Sequence, residues 1–470
     1  RAVHLTEDGR EEGIAQGRAL ILPLKTAYVF PGQGIQEQNM GMELYKSSAA
    51  AKAIWNRADS HTRRALGFSI LRVVQSNPKI LRVGRSSFRH PNGVLHLTQF
   101  TQVAMATMAQ AQVAWMKEEG VFISGAVTCG HSVGEYNAIS AVLQALPLEE
   151  TISIVWQRGL TMHTLVKRDE KGRSAYKMGV IRPHYARMNH QECEELVQEI
   201  QNKTGKFLQI VNYNVRGRQY SVTGEIAALE ALSEALEARN KGVKKAYIEV
   251  PGIDVPFHST LLTNGVPDFR ETLKTVFPDD IDPKALVGCY IPNLTASVFQ
   301  LTREYVEEIL SVVDSEPMNE VLKNWDRHIQ EPSKLARAIL IELLAWQFAS
   351  PVRWIESQEC MFASRKHGGL ELQEIIEIGS GKQPTLANMA KYSLSLQPIP
   401  SEVQIFNVES EKERLFGVDT VVLTPKEDIS SVEEESASIV EEVAPVVVMS
   451  APSSSSALID QSITHQQGLI

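Results

Sequence analysis

ISGAVTCGHSVGEYNAISAVLQAL, residues 123–146, decides the fold class. The apolar, β-branched run Ile123–Cys129 reads as a buried strand that meets Gly130, and a helical pattern continues from Ile139 to Leu146. Between them, Gly130-His131-Ser132-Val133-Gly134 is G-x-S-x-G in the strand-to-helix context that a nucleophile elbow requires. The glycines allow a tight, strained turn that lifts the Ser132 hydroxyl to the end of the strand. A helix beginning near Val133 offers N–H groups and the positive end of its dipole to a developing oxyanion. The bland alternative is an ordinary structural turn.

The pattern repeats outward. KTAYVF (25–30) is a second buried strand stopping at Pro31-Gly32, and LQEIIEIG (372–379) a third running into a Gly-rich turn. Phe100–Glu118 reads as a helix with a broad apolar face, and SKLARAILIELLAWQF (333–348) as a long amphipathic helix ended before Pro351. Short strands alternating with longer helices predict α/β layers. Residues 175–250 differ: the acidic helical stretches CEELVQEIQNK and IAALEALSEALEARNKG alternate with the strand runs FLQIVNYNV, RQYSVTG and KKAYIEV. They read as a small α+β subdomain inserted into the larger layer.

Composition narrows the class. The 470 residues, 43% apolar and 22% charged, exclude a collagen-like, coiled-coil or wholly disordered chain. Four widely spaced cysteines exclude a disulfide framework or zinc ribbon, so a reducing cytoplasm is the expected location. No apolar run reaches the ~18 residues that span a bilayer, and the charged N-terminus has no signal-peptide core. Its missing initiator Met reads as a segment of something longer, or a processed chain.

Charge is uneven. Residues 425–470 hold −7 of the net −9; this Ser-, Glu-, Ala- and Pro-rich stretch is expected to be a flexible linker. Between Ser60 and Phe100, Arg63, Arg64, Arg72, Lys79, Arg82, Arg85 and Arg89 face no acid. They suit either CoA phosphates and an acidic partner or a plain solvated loop and helix face. Nucleic acid is a poor fit, since the chain as a whole is not basic and carries no binding motif.

A serine nucleophile needs a base. Of twelve histidines, His258 in IEVPGIDVPFHST is the best of several, because an apolar strand ends there in a Gly- and Pro-rich turn. His131 adjoins Ser132, but neighbours on an elbow point apart. Phe30-Pro31-Gly32-Gln33-Gly34 is a second Gly turn where a main-chain N–H can complete an oxyanion hole; it fits neither a Walker loop nor G-x-G-x-x-G, so no nucleotide cofactor is assigned. No metal site is assigned. Arg158, mid-helix among apolar neighbours, has no Asp or Glu three or four residues away. A distant acid and a carboxylated substrate are equally open as its partner.

Together these features resemble the malonyl-CoA:acyl-carrier-protein transacylase family. The carriers are FPGQG, the Thr101-Gln102 pair, GHSVGE at the elbow, Arg158 in the next helix, the strand ending in His258, and QFASPVRW (347–354) after the long helix. VNYNVRGRQYSVTG, VPFHSTLLTNGVPDFR and YIPNLTA are closer still to the malonyl/palmitoyl transferase domain of fungal-type and actinobacterial type I fatty acid synthases. The likeness spans roughly residues 25–400. It implies an α/β-hydrolase-like core with a parallel sheet, an inserted ferredoxin-like subdomain (175–250), a family-specific insertion (261–330) and a further excess at 60–98. Residues 1–24 would connect to other domains, 25–424 form the acyltransferase, and 425–470 form a disordered linker.

The resemblance also implies roles. Ser132 is the nucleophile and His258 the general base. The amides of Gln33 and Val133 form the oxyanion hole, and the main-chain carbonyl of Gln347 orients His258. Arg158 grips a malonyl carboxylate, while Gln102 and Asn214 line the site. Malonyl-CoA and palmitoyl-CoA are the expected substrate and product. An acyl carrier protein with its phosphopantetheine and the other synthase domains are the expected partners, with neither membrane nor tightly bound cofactor. The rivals are a serine α/β-hydrolase, which would want an acid on the histidine, and an inactive scaffold. Asp254, four residues before His258, is the nearest acid and too close in sequence to serve.

Overall fold

A computed structural model describes residues 20–23, 25–170, 173–250, 253–382, 384–396, 403–416 and 420–423. The proposed linker 425–470 and most of 1–24 lie outside the described residues. Two units divide the remainder. The smaller is one antiparallel pair, Leu20–Pro23 with Thr420–Leu423.

The larger unit is built on a five-stranded parallel sheet. Its order is Tyr290–Ile291, Val127–Gly130, Thr26–Phe30, Glu374–Glu377, Gln404–Asn407. The central strand TAYVF is buried at every position, as expected where helices cover both faces of a parallel sheet. Each of Tyr28, Val29 and Phe30 contributes about 1.5–3 kcal/mol by leaving water. The strand expected over 123–129 narrows to Val127–Gly130, paired in register with Ala27–Phe30. The following helix runs Val133–Ala141 rather than on to Leu146, and all nine of its residues are buried. Gln144, at φ 55°, already belongs to the turn beyond it.

Helix Thr98–Glu118 lies in the main core, crossed by helix Leu148–Thr164 at Gly159, where a Cβ would come within 2.6 Å of the Gln99 backbone. Helix Pro332–Gln347 packs on Val266–Val276 from the 261–330 region.

Residues 176–249 form a separate antiparallel sheet. In chain order the elements are strand Tyr176–Ile181, helix His190–Thr204, strands Leu208–Val215 and Gln219–Glu225, helix Ile226–Arg239 and strand Tyr247–Glu249. The spatial order of its strands is second, third, first, fourth. A capping box, Asn189 with Glu192, starts the first helix. The strand Leu208–Val215 is tied to the main layer through Tyr213 N–H to Val352 O (3.0 Å) and Val352 N–H to Val211 O (2.9 Å).

The basic stretch is not a plain loop. It includes a hairpin, Ile80–Val83 with Ser86–Arg89, whose opposed Leu81 and Phe88 face inward while Arg82, Arg85 and Arg89 are exposed. Phe88 lies 5.3 Å from the Phe100 ring, which explains why so cationic a ribbon folds back on the core. All four cysteines are free.

Candidate active site

The elbow is strained and packed too tightly for any residue but glycine on either side. Ser132 sits at φ 55°, ψ −119°, outside the regions a non-glycine residue prefers. A Cβ on Gly134 would strike Phe30 O, and one on Gly130 would strike Gly134 itself. The neighbouring His131 and Val133 are buried and Ser132 is not, so the turn presents the serine alone. His131 turns away, its Nε2 3.0 Å from Asn214 Oδ1.

Ser132 Oγ lies 2.7 Å from His258 Nε2. His258, also at positive φ (59°), is fastened to the end of the long helix: its N–H donates to Phe348 O at 2.9 Å. Its Nδ1 faces two carbonyl oxygens, Gln347 O at 2.9 Å and Ser350 O at 3.2 Å. Both can only accept, so Nδ1 carries the proton and Nε2 is free to take one from the serine. Burial, with the Arg158 charge second, pushes the imidazole pKa down to about 3 and keeps the ring neutral. Asp254 does not approach it; both its carboxylate oxygens engage Arg168.

Arg158 is 1% exposed. It donates to Gln102 Oε1 (3.0 Å), Gln347 Oε1 (2.7 Å) and Ser132 Oγ (3.3 Å), and stands 5.3 Å from the Tyr136 ring. Its Nε is buried without a partner, and no ion pair to it exists among the described residues. Neutral acceptors solvate this cation. Gln102 in turn donates to Gln33 Oε1 at 3.0 Å. The Gly32-Gln33 turn lies against the elbow: a Cβ on Gly32 would sit 3.0 Å from His131 O. Among the described residues the main-chain N–H groups of Gln33 and Val133 donate to no protein acceptor.

The structure thus gathers Ser132, His258, Arg158, Gln102, Gln33, Val133 and Gln347 at one point. Asn214 stands one residue behind, against His131, with its carbonyl held by Gln358 (2.8 Å). Sequence reasoning missed Glu135, Tyr290 and Asn293, which support the elbow from beneath. Asn293 accepts the Ser132 N–H at 2.8 Å and donates to Gly130 O at 2.5 Å. Glu135, the acid of GHSVGE, takes a hydrogen bond from Tyr290. An ionisable residue inside a wholly buried helix was the available signal. Burial raises its pKa to about 7 against the pull of Tyr290 and Gln347.

Among the described residues no helix is long and apolar enough to cross a membrane, and no cluster of His, Cys, Asp and Glu could hold a metal ion.

Residues 27–245 match the acyl transferase domain family. Fatty acid synthase 2 of Mycosarcoma maydis is 34% identical over 88% of this chain, and fatty acid synthase subunit beta of Saccharomyces cerevisiae 34% over 67%. The chain spans only 13% and 20% of those two relatives. Among solved structures, the malonyl-CoA–acyl carrier protein transacylase of Clostridium perfringens shares the fold: TM-score 0.58 at 23% identity, over 83% of this chain and 95% of that one. The chain therefore carries an acyl transferase domain across its serine elbow and is homologous to fungal fatty acid synthases.

Proposed function

We propose that this chain moves malonyl from CoA to the phosphopantetheine thiol of an acyl carrier protein, through an ester on Ser132, within a fatty acid synthase. The observation that carries the reading is Arg158, a buried cation without a carboxylate partner, 3.3 Å from the Ser132 hydroxyl. A malonyl carboxylate completes it as a bidentate pair.

The steps follow from the geometry. His258 Nε2 takes the serine proton as Oγ attacks the thioester carbon. The oxyanion rests on the amides of Gln33 and Val133, each worth about 10²–10³ in rate. The C–S bond breaks and His258 returns the proton to the CoA sulfur. The carrier thiol then gives its proton to His258 and attacks the ester carbon; the C–O bond to Ser132 breaks and His258 returns that proton to Oγ, regenerating the serine. The Gln347 carbonyl keeps the imidazole oriented throughout, where a hydrolase uses an acid. Gln102 holds the guanidinium, and Asn214 holds His131.

The same serine would return palmitoyl to CoA. A cytoplasmic setting, contact with the other synthase domains, and the boundaries 25–424 and 261–330 belong to the same reading. So does the ferredoxin-like description of residues 175–250, supported by the βαββαβ order and the antiparallel strand arrangement.

Intact mass after brief exposure to malonyl-CoA tests it. Wild type should gain one malonyl group, and Ser132→Ala none. CoA release from wild type with no adduct would mean that water reaches the ester, and hydrolysis would replace transfer.

A further inference from the structure

Glu135 lies wholly buried on the first turn of the elbow helix, one residue past Gly134. The acyl-transfer steps do not touch it, yet both main-chain polar groups of the nucleophile depend on it. One carboxylate oxygen accepts from the Tyr290 hydroxyl and from the Asn293 N–H (3.2 Å). Asn293 in turn accepts the Ser132 N–H. The other oxygen accepts from Gln347 Nε2 at 2.7 Å, and that same Nε2 donates to Ser132 O at 2.5 Å.

This arrangement leaves the Gln347 amide one orientation. Its NH₂ faces the Ser132 carbonyl, which can only accept, and the second carboxyl oxygen of Glu135. Its oxygen must therefore face the other way, and there it meets Arg158 Nη2 at 2.7 Å. Arginine only donates, so the match is complete. We propose that Glu135 is a positioning residue: it fixes the Gln347 amide and through it aims Arg158, so that preference for a carboxylated acyl group depends on a side chain that never meets the substrate. This rests on the acyl-transfer reading above.

Glu135→Gln separates this role from mere packing. The new amide keeps its oxygen toward Tyr290 and Asn293, as their two donors require, and so turns its NH₂ against the NH₂ of Gln347. Relieving that donor–donor conflict rotates Gln347 and breaks its bond to Arg158. His258 is held by the main-chain carbonyl of Gln347, not by its amide, so the base stays in place.

The experiment compares initial rates of Ser132 acylation from malonyl-CoA and from acetyl-CoA on the 470-residue chain, read by intact mass. Glu135→Gln should lower the malonyl-to-acetyl ratio by about tenfold or more, the scale of one lost hydrogen bond to a charged group. Gln347→Ala should reproduce that fall, and the double variant should fall no further than Gln347→Ala alone, because Glu135 acts through Gln347. A wild-type ratio in Glu135→Gln, an equal loss of both rates, or additive effects in the double variant would overturn the proposal. If Glu135→Gln does not fold, Gln347→Ala decides: an unchanged ratio there removes the link. Wild type that takes neither acyl group would instead overturn the transfer reading itself.

Discussion

Arg158 and Arg270 are both withdrawn from water, and the molecule answers the two charges in opposite ways. Arg270, on the helix Val266–Val276, is met by Glu342 of the long helix, whose two carboxylate oxygens accept from its Nε and Nη2. Glu342, 2% exposed at its side chain, also accepts from Ser315, the N-cap of helix Glu316–Lys323. That pair seals a junction of three helices in the region the sequence marked as an insertion. Arg158, next to Gly159 on another helix, receives only amide oxygens and a hydroxyl. One charge is neutralised by the fold; the other, on the proposed function, is kept for a substrate carboxylate. Burial alone therefore does not distinguish a structural arginine from a binding one. The chemistry of its acceptors does.

The same substitution at both positions probes that contrast most directly. Arg270→Met leaves Glu342 buried and uncompensated, and should cost about 3–5 kcal/mol of folding stability. Denaturant unfolding measures it, while malonyl loading per folded molecule stays at the wild-type rate. Arg158→Met removes a cation that makes no direct ion pair, its charge reaching Glu135 only through space. Its stability should stay within about 1 kcal/mol of wild type, because relief of desolvation offsets the lost bonds to neutral acceptors. Malonyl loading, by contrast, should fall about 10²-fold while acetyl loading changes little. Equal unfolding costs at the two positions, or unchanged malonyl loading in Arg158→Met, would erase the distinction.

A smaller effect sharpens the electrostatic side. The Arg158 charge adds to burial in holding His258 neutral, with its pKa near 3. Acetyl loading should then hold its rate from pH 7.5 down to about 5.5, where a histidine at its ordinary pKa of about 6.5 would have lost roughly tenfold of its basic form. The same shift acts on stability with a definite sign. Between pH 6.5 and 3 the unfolded imidazole binds a proton that the folded one does not, so His258 makes stability fall as the pH drops through that window. Rate against pH from stopped acylation assays, and unfolding midpoints over the same range, check both.

Legibility followed the range of the interactions. The elbow could be read because G-x-S-x-G is local: strand, strained serine and helix lie within a dozen residues, and the glycines answer to contacts with Phe30 and with each other. The long helix expected over 333–348 and the strands at 26–30 and 374–377 appeared nearly where periodicity put them. The hairpin 80–89 did not, since an exposed two-stranded ribbon has half its pattern facing water and Phe88 docks on residues distant in sequence. His258 stayed one candidate among several from the residues alone, because its claim depends on an oxygen 126 positions away.

What the amino-acid sequence determined by itself was the set of parts: an α/β layer, a small α+β subdomain, a serine on an elbow, and an arginine where apolar neighbours forbid one without reason. What only the tertiary structure decided was who answers whom. The partner of His258 Nδ1 is a main-chain carbonyl, which any residue possesses and no motif reveals. Likewise, Asp254 was set aside on spacing alone, and only the structure shows that Arg168 holds it instead. The Glu135–Gln347–Arg158 chain joins three helices across more than two hundred residues, and its direction comes from matching donors to acceptors in a space closed to water. Hydrogen-bond complementarity is a property of atoms brought together, and a linear pattern carries the atoms without their meeting.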